Sequence, residues 1–384
     1  QDIIAKAHGE CDHAIARRIA DEAKNTVEWL VERYKLPLSC ILDFQYPGHS
    51  RPHMHASPSR YGAELQYFTG SKAHNVALRD RAKRMGYKLN EYGLIRIKDD
   101  KNVASRTEKE IYEKLELAYI EPELRENTGE IEAAENRKLP KLLRLEDIRG
   151  DLHMHSTATD GRCSIREMAE AARERGLEYI AMTDHSKALA MANGMNETRV
   201  LAQIKEISKL NGEMDGIRIF ASSEVDIRQD GTLDLDDEVL AQLDVVVASV
   251  HSHMNQTTDQ MTDRLLRAFE NPNLNILAHP TGRLVLRREP FTFDFEKILA
   301  EAKRRNIALE INSFPDRLDL REIHARLAKQ HGVKIVISTD SHHTKHLEHI
   351  KYGVLTARRG WLEKHDVLNT LSSKEFLSAI QRRA

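Results

Sequence analysis

The sequence predicts an α/β protein whose C-terminal part is a seven-stranded parallel β/α barrel and whose N-terminal part is smaller and α-rich. Three observations predict it. From residue 149 onward, apolar runs rich in β-branched residues alternate with amphipathic stretches, as parallel β/α units require. Metal-capable side chains recur at the C-terminal ends of those runs, the end at which β/α barrels build their sites. An acidic, proline-marked stretch near residues 120–141 separates this pattern from what precedes it.

A chain of 384 residues is long enough for two domains and for a substantial core. Its 58 Lys and Arg nearly balance 60 Asp and Glu, which excludes a global basic field and leaves any nucleic-acid binding to a local patch. Cys11, Cys40 and Cys163 are odd in number and lack paired spacing, so they read as free thiols in a reducing cytoplasm. No apolar run reaches membrane-spanning length, and the N-terminus is charged where a signal peptide would be apolar. A soluble cytoplasmic protein without a membrane partner is expected.

In chain order, residues 12–34 carry Ile15, Ile19, Ala23, Val27, Leu30, Val31 and Tyr34 at helical spacing and predict an amphipathic helix. Prolines 37, 47, 52 and 58 then break any period, and 36–60 reads as irregular. It contains His53-Met54-His55, read as a solvated loop because no carboxylate stands nearby. In 61–95, Tyr67-Phe68-Thr69-Gly70-Ser71 leads into a helix that places Asn75, Arg79 and Lys83 at four-residue steps on one face. From Lys72 to Lys101 there are nine Lys or Arg against four Asp or Glu, so a basic face beside an aromatic pair suits a phosphate backbone with a stacked base. A helix follows near Glu108–Leu117, and then the acidic stretch, which reads as a linker.

The barrel runs are 149–155, 179–184, 217–225, 243–250, 274–279, 307–312 and 333–339. The first holds His153-Met154-His155, two imidazoles on one face of an extended segment, followed by Asp160 on a turn ending in Gly161. Later run ends bring Asp184-His185, Glu224, His251, His279, Glu310 or Asn312, and Asp340 with His342. The candidate ligands are therefore His153, His155, Asp160, His185, Glu224, His251, His279, Asp340 and His342. Nine exceed the needs of one ion and imply two or three divalent ions, with Glu224 suited to bridge. Imidazole and carboxylate without thiolate suit Zn, Mn or Fe(II), and clustered ions suit phosphoester hydrolysis.

These motifs, with Thr183-Asp184-His185, Ser249-Val250-His251, Ala278-His279-Pro280 and Thr339-Asp340-Ser341-His342, resemble the PHP (polymerase and histidinol phosphatase) superfamily. The flanks Leu145–Gly150, Pro280–Leu284, Pro315–Leu320 and Thr356–Trp361, with Tyr67–Ser71, are similar to the C-terminal part of bacterial and archaeal family X DNA polymerases. The resemblance implies a distorted seven-stranded barrel with a trinuclear site. It implies one ion on His153, His155, Glu224 and Asp340, a second on Asp160, His185 and His342, and a third on Glu224, His251 and His279. It also implies 3′-5′ exonuclease or 3′-end and abasic-site processing in DNA repair, with Mn or Zn as cofactor and gapped or single-stranded 3′ ends as partner. Tyr67, Phe68, Gly70, Ser71, Asn75 and Arg79 would touch nucleotide or DNA. Arg283, Arg287, Arg288 and Arg317 suit strand phosphates, since a guanidinium binds them as a fork.

The palm of that family needs an Asp-x-Asp pair and a third carboxylate, and here Asp43 is the only acid between Tyr34 and Glu64. The expected organisation is a truncated or degenerate palm-like region over 1–60 without extension activity, a thumb-like DNA-binding region over 61–120, a linker over 121–144 and a hydrolytic barrel over 145–384. The alternatives are a small-molecule phosphomonoesterase of the histidinol phosphatase kind, a DNA-binding module with an inactive barrel, and a competent polymerase.

Overall fold

The structure is a computed structural model. It describes residues 59–381 and, before them, an antiparallel pairing of β1 (Ser39–Cys40) with β2 (His55–Ala56), a short regular element inside the stretch read as irregular. The expectations for the helix over 12–34, for His53-Met54 and for the palm acids around Asp43 lie outside the described residues. The chain divides between Leu139 and Pro140 into two compact units. No helix among the described residues is long and apolar enough to cross a membrane.

From residue 59 on, the first unit carries α1 (Tyr61–Thr69) and α2 (Lys72–Arg84). The expected turn at Gly70-Ser71 joins them, and the Ser71 side chain caps α2 by accepting from the His74 amide. A three-stranded antiparallel sheet follows, β3 (Tyr87–Asn90), β4 (Gly93–Arg96) and β5 (Lys101–Ala104), which the sequence reading did not separate from the basic helix. Then come α3 (Glu108–Lys114), a 3-10 turn (Pro122–Leu124) and α4 (Glu130–Glu135). The sequence predicts a linker over 121–144, whereas the structure folds 122–135 into this unit. The cause is two polar side chains that prolines and acids gave no hint of. Arg125, fully buried, donates to the Ile120 carbonyl, to Thr69 Oγ1 and to Glu108 Oε1. Glu130, also buried, lies 2.6 Å from His74 Nδ1 and caps the amides of Asn127 and Thr128.

The second unit alternates strand and helix as expected: β6 (Gly150–Asp151), α5 (Ile165–Glu174), β7 (Tyr179–Met182), α6 (Glu197–Glu213), β8 (Arg218–Asp226), α7 (Asp237–Leu240), β9 (Val245–Ser249), α8 (Thr258–Glu270), β10 (Ile276–Leu277), α9 (Phe295–Arg305), β11 (Ala308–Asn312), α10 (Glu322–His331), β12 (Ile335–Ser338), α11 (Ile350–Arg359) and α12 (Ser373–Ala379). Six of the seven strands fall inside the predicted runs, and β8 overruns its run by one residue, Asp226. They pair in parallel in sequence order, and a Met154–Ser341 bridge joins the extensions of β6 and β12, so the sheet is a nearly closed barrel. Helix starts are written locally: Ser164 with Glu167, Thr257 with Gln260 and Ser372 with Glu375 form reciprocal caps for α5, α8 and α12.

Alternation along the strands sorts the core. Tyr179, Phe220, Val245, Val247, Ile276, Ala308 and Val336 make one apolar cluster with Phe376 of α12, while Ile180, Met182, Ile219 and Ala221 pack with residues of α5 and α6. Phe376 stacks 5.6 Å from Tyr179 and 5.8 Å from Phe220 at the end where the strands begin. Apolar side chains thus fill one end of the barrel, and the polar ones collect at the other.

Candidate metal centre

The period-two argument for the first motif is realised. Met154 packs into the apolar cluster against α5, while His153 and His155 turn together to the other side, their rings 5.2 Å apart. The chain here is pinned between neighbours: the Thr183 amide donates to the Met154 carbonyl at 2.9 Å and the His155 amide to the Ser341 carbonyl at 2.8 Å. The turn carrying Asp160 closes on Gly161, where a Cβ would stand 2.4 Å from the His155 carbonyl oxygen, so only glycine fits.

Glu224, inside β8 and buried, is the hub. Its Oε1 lies 2.8 Å from His279 Nε2 and 3.3 Å from His251 Nε2. Its Oε2 lies 3.3 Å from His153 Nε2, 3.7 Å from His155 Nε2 and 2.9 Å from His185 Nδ1. Asp340, just past β12, stands 3.1 Å from His155 Nε2 and 3.6 Å from His153 Nε2. Asp160 stands 3.5 Å from His185 Nε2 and 3.3 Å from His342 Nε2. All nine expected residues therefore come together, in four overlapping donor groups: His155 with Asp160, His185 and His342; His153 with Glu224 and His279; His153 with His155 and Asp340; His185 with Glu224 and His251. His279 and Asp340 hold positive φ of 27° and 53°. Such backbone costs about 1–3 kcal/mol per residue and persists where surrounding structure over-determines it.

Charge explains how the cluster tolerates burial. Burial pushes the Glu224 carboxyl upward, but His153, His251 and His185 outweigh it and hold it well below the usual range. Burial likewise opposes charge on His153 and His185, yet Glu310, Asp340 and Glu224 raise the first well above its ordinary value, and Glu224 with Asp160 raises the second to about 10. His155 and His279 go the other way, to about 4: burial leads, joined by His185 and His342 for the first and by Arg317 for the second.

A layer behind these residues was only half visible in the sequence. Glu310 lies 2.8 Å from His153 Nδ1 and accepts from the His279 amide at 2.7 Å. Asn312 donates to Asp340 Oδ2 at 3.0 Å, Arg317 Nε lies 3.2 Å from the same oxygen, and Asp226 Oδ1 lies 3.3 Å from His251 Nδ1. Asp184 accepts from the Ser156 amide, Thr159 and Gln203, and so fixes the first loop. Glu310 and Asn312 stood at the expected strand end; Asp226, two residues past Glu224, carried the same signal.

The expected DNA contacts divide. Phe68 is 71% exposed beside Tyr67, and Arg79 is half-buried with its Nε on the Asn75 carbonyl. Asn75 does not face outward: it is buried, bonding Gln66 and the carbonyls of Tyr67 and Gly70, because closing the α1–α2 turn requires those partners. The hydroxyl of Ser71 is taken by the helix cap and Gly70 is extended. Arg283 is spent on the carbonyls of Arg317 and Leu318, and Arg287 pairs with Asp316 at 3.2 Å. Arg288 Nε donates to the Gly282 carbonyl. Arg317 Nη1 is buried without a hydrogen-bond partner.

A nearly closed parallel barrel with a buried histidine–carboxylate cluster at its polar end defines the class: a β/α-barrel with a polynuclear metal-site candidate. The chain belongs to the PHP domain family, which matches residues 151–372, and residues 64–126 match the DNA polymerase beta thumb, a PolX-like pairing. It is 42% identical over 345 residues to the DNA polymerase/3′-5′ exonuclease PolX of Bacillus subtilis, covering 90% of this chain and 60% of that protein. The chain thus spans less than two thirds of that relative's length. It is 28% identical over 246 residues to a probable phosphatase of Thermoanaerobacter sp. (strain X514), covering 61% of this chain and 96% of the relative. A crystal structure of histidinol phosphate phosphatase from Lactococcus lactis with zinc, L-histidinol and phosphate overlaps 55% of this chain and 93% of its own, at 23% identity and a TM-score of 0.42.

Proposed function

We propose that this chain is a cytoplasmic, metal-dependent phosphodiesterase that removes nucleotides from DNA 3′ ends or processes blocked and abasic ends in repair. One observation carries the metal reading. Ring nitrogens His153 Nε2, His155 Nδ1 and His185 Nδ1 are buried without a hydrogen-bond partner although Glu224 or Asp160 oxygens lie 2.9–3.9 Å away, and His279 Nδ1 is buried without a partner as well. Buried polar atoms are rarely left unsatisfied. Donors sharing one ion at about 2.1 Å stand roughly 3–3.5 Å apart, the spacing found around Glu224, Asp340 and Asp160. The donor set, imidazole and carboxylate without thiolate, suits Mn or Zn.

The ligand sets are those that the resemblance implies: His153, His155, Glu224 and Asp340 would hold one ion, Asp160, His185 and His342 a second, and Glu224, His251 and His279 a third, and the four overlapping donor groups support a shared cluster of these nine residues. Ions held there would activate a water and neutralise phosphate charge. The chain's own residues supply orientation. Glu310 and Asp226 hold Nδ1 of His153 and His251, and the Asp340 carbonyl holds Nδ1 of His342 at 2.8 Å, which turns each Nε2 lone pair into the cluster. Arg317, with Nε on Asp340 and Nη1 unpartnered, is placed to bind a phosphate oxygen. Phe68 with Tyr67 in the thumb unit offers a face to a base.

The test is a 5′-labelled primer on a longer template with Mn and all four nucleotides, beside a chelator control. Chelator-sensitive shortening is expected. Lengthening would show that the palm-like region is competent, and inertness on DNA with hydrolysis of small phosphomonoesters would replace this reading with a phosphatase.

A further inference from the structure

Among the described residues of the barrel unit, two large apolar side chains stand fully exposed, Met191 and Leu286. Both follow expected ligands, Met191 six residues after His185 and Leu286 seven after His279. Single exposed apolar residues are ordinary. Leu286 differs in how it is held. It tips a hairpin closed by the Leu284–Arg288 bridge, and its φ of 62° is left-handed, a conformation that bulky side chains seldom adopt.

The base of that hairpin is tightly tied down. The Val285 amide donates to the Asp316 carbonyl at 2.6 Å, Arg283 braces the carbonyls of Arg317 and Leu318, and Arg287 pairs with Asp316. Gly282, at φ 63°, sits where a Cβ would meet the Phe291 ring at 2.5 Å. The rigid base thus holds a leucine out in water on a strained backbone. The brace runs straight to the cluster: Arg317, whose carbonyl Arg283 grips, also reaches Asp340. Of the three arginines between 282 and 289, Arg283 and Arg288 brace backbone carbonyls, and Arg287, beside the tip, is 69% exposed and pairs with Asp316.

An apolar tip flanked by arginines is the chemistry that parts base steps. We infer that Leu286 is a wedge that enters the terminal base step of a paired DNA 3′ end and frees the last nucleotide for the cluster. Leu286 lies seven residues beyond His279, so the tip stands at most about 25 Å from that ligand. The inference rests on the 3′-end reading above.

The experiment compares wild type with Leu286→Asn on one 5′-labelled strand, free and fully paired, in Mn. A second readout places 2-aminopurine at the paired 3′ terminus and follows its fluorescence on binding to His251→Ala protein with and without the Leu286 change. Asn accepts left-handed backbone, so the variant folds, and its melting temperature checks this. The expected result is a loss of about tenfold or more on the paired end relative to the single strand, with loss of the fluorescence rise. An unchanged paired-to-single ratio with an intact rise overturns the wedge, as does wild type that trims single strands alone. Wild type inert on both DNAs overturns the wedge and the 3′-end reading together.

Discussion

The two units each bury histidine against carboxylate, and they finish the arrangement differently. In the thumb unit His74 uses both nitrogens, Nδ1 at 2.6 Å from Glu130 and Nε2 at 3.1 Å from the Tyr112 hydroxyl, and neighbouring Arg125 satisfies Glu108 and two further oxygens. In the barrel unit the imidazoles crowd Glu224 and still leave ring nitrogens without hydrogen-bond partners. The residue types are the same and so is the burial. A closed array holds a fold together, and an array with lone pairs left over is arranged for something the chain itself does not supply.

The sharpest way to break this comparison is Glu224→Gln. It removes the hub, and with several kcal/mol of charge stabilisation lost, phosphodiesterase activity should fall by on the order of 10³-fold or more. A steady-state assay with excess Mn checks this, and near-normal turnover would remove Glu224 from the centre. His74→Ala should leave activity per folded molecule on single-stranded DNA largely intact while destabilising the first unit by about 2–3 kcal/mol, since Glu130 loses a charge-assisted partner. Urea unfolding followed by a probe in that unit reads it; an unshifted midpoint would mean the array there is not structural.

Glu310→Gln tests the layer behind the ligands. It should weaken metal affinity or activity about 10–100-fold through His153, with little change in fold. The smallest effect is acid sensitivity of the thumb unit. Burial raises the Glu130 carboxyl, but His74 and the amides of Glu130, Thr128 and Asn127 outweigh it and set the folded value below the unfolded one. Its stabilisation is therefore present above the unfolded value near pH 4.3 and is lost as pH falls through the lower, folded value. Glu130→Gln should flatten that acid limb of the stability profile, and an identical limb would show that Glu130 does not titrate with folding.

Much of the barrel was legible because its signals are local. Each strand lies on a short apolar run, and every candidate ligand but Asp160, which stands on the first loop, sits at or near a run's end, as with His251 just past β9 and His279 just past β10. The layer behind was harder to assign, since Glu310, Asp226 and Asp184 are the same residue types as ligands and only geometry separates a brace from a donor. In the thumb unit the signals are distant or weak. Strands β3 to β5 are four residues each and rich in charge, and His74 finds Glu130 fifty-six positions away. Asn75 shares a helical face with Arg79 and Lys83 in the sequence, yet the turn at Gly70 draws it inward.

The most direct test of the difference between the two arrays is the metal content of purified protein after Mn or Zn loading and desalting, measured by plasma mass spectrometry. The account predicts about two to three ions per chain in wild type and in His74→Ala, with loss of most of them in Glu224→Gln. Full occupancy in Glu224→Gln, or loss of ions in His74→Ala, would contradict it.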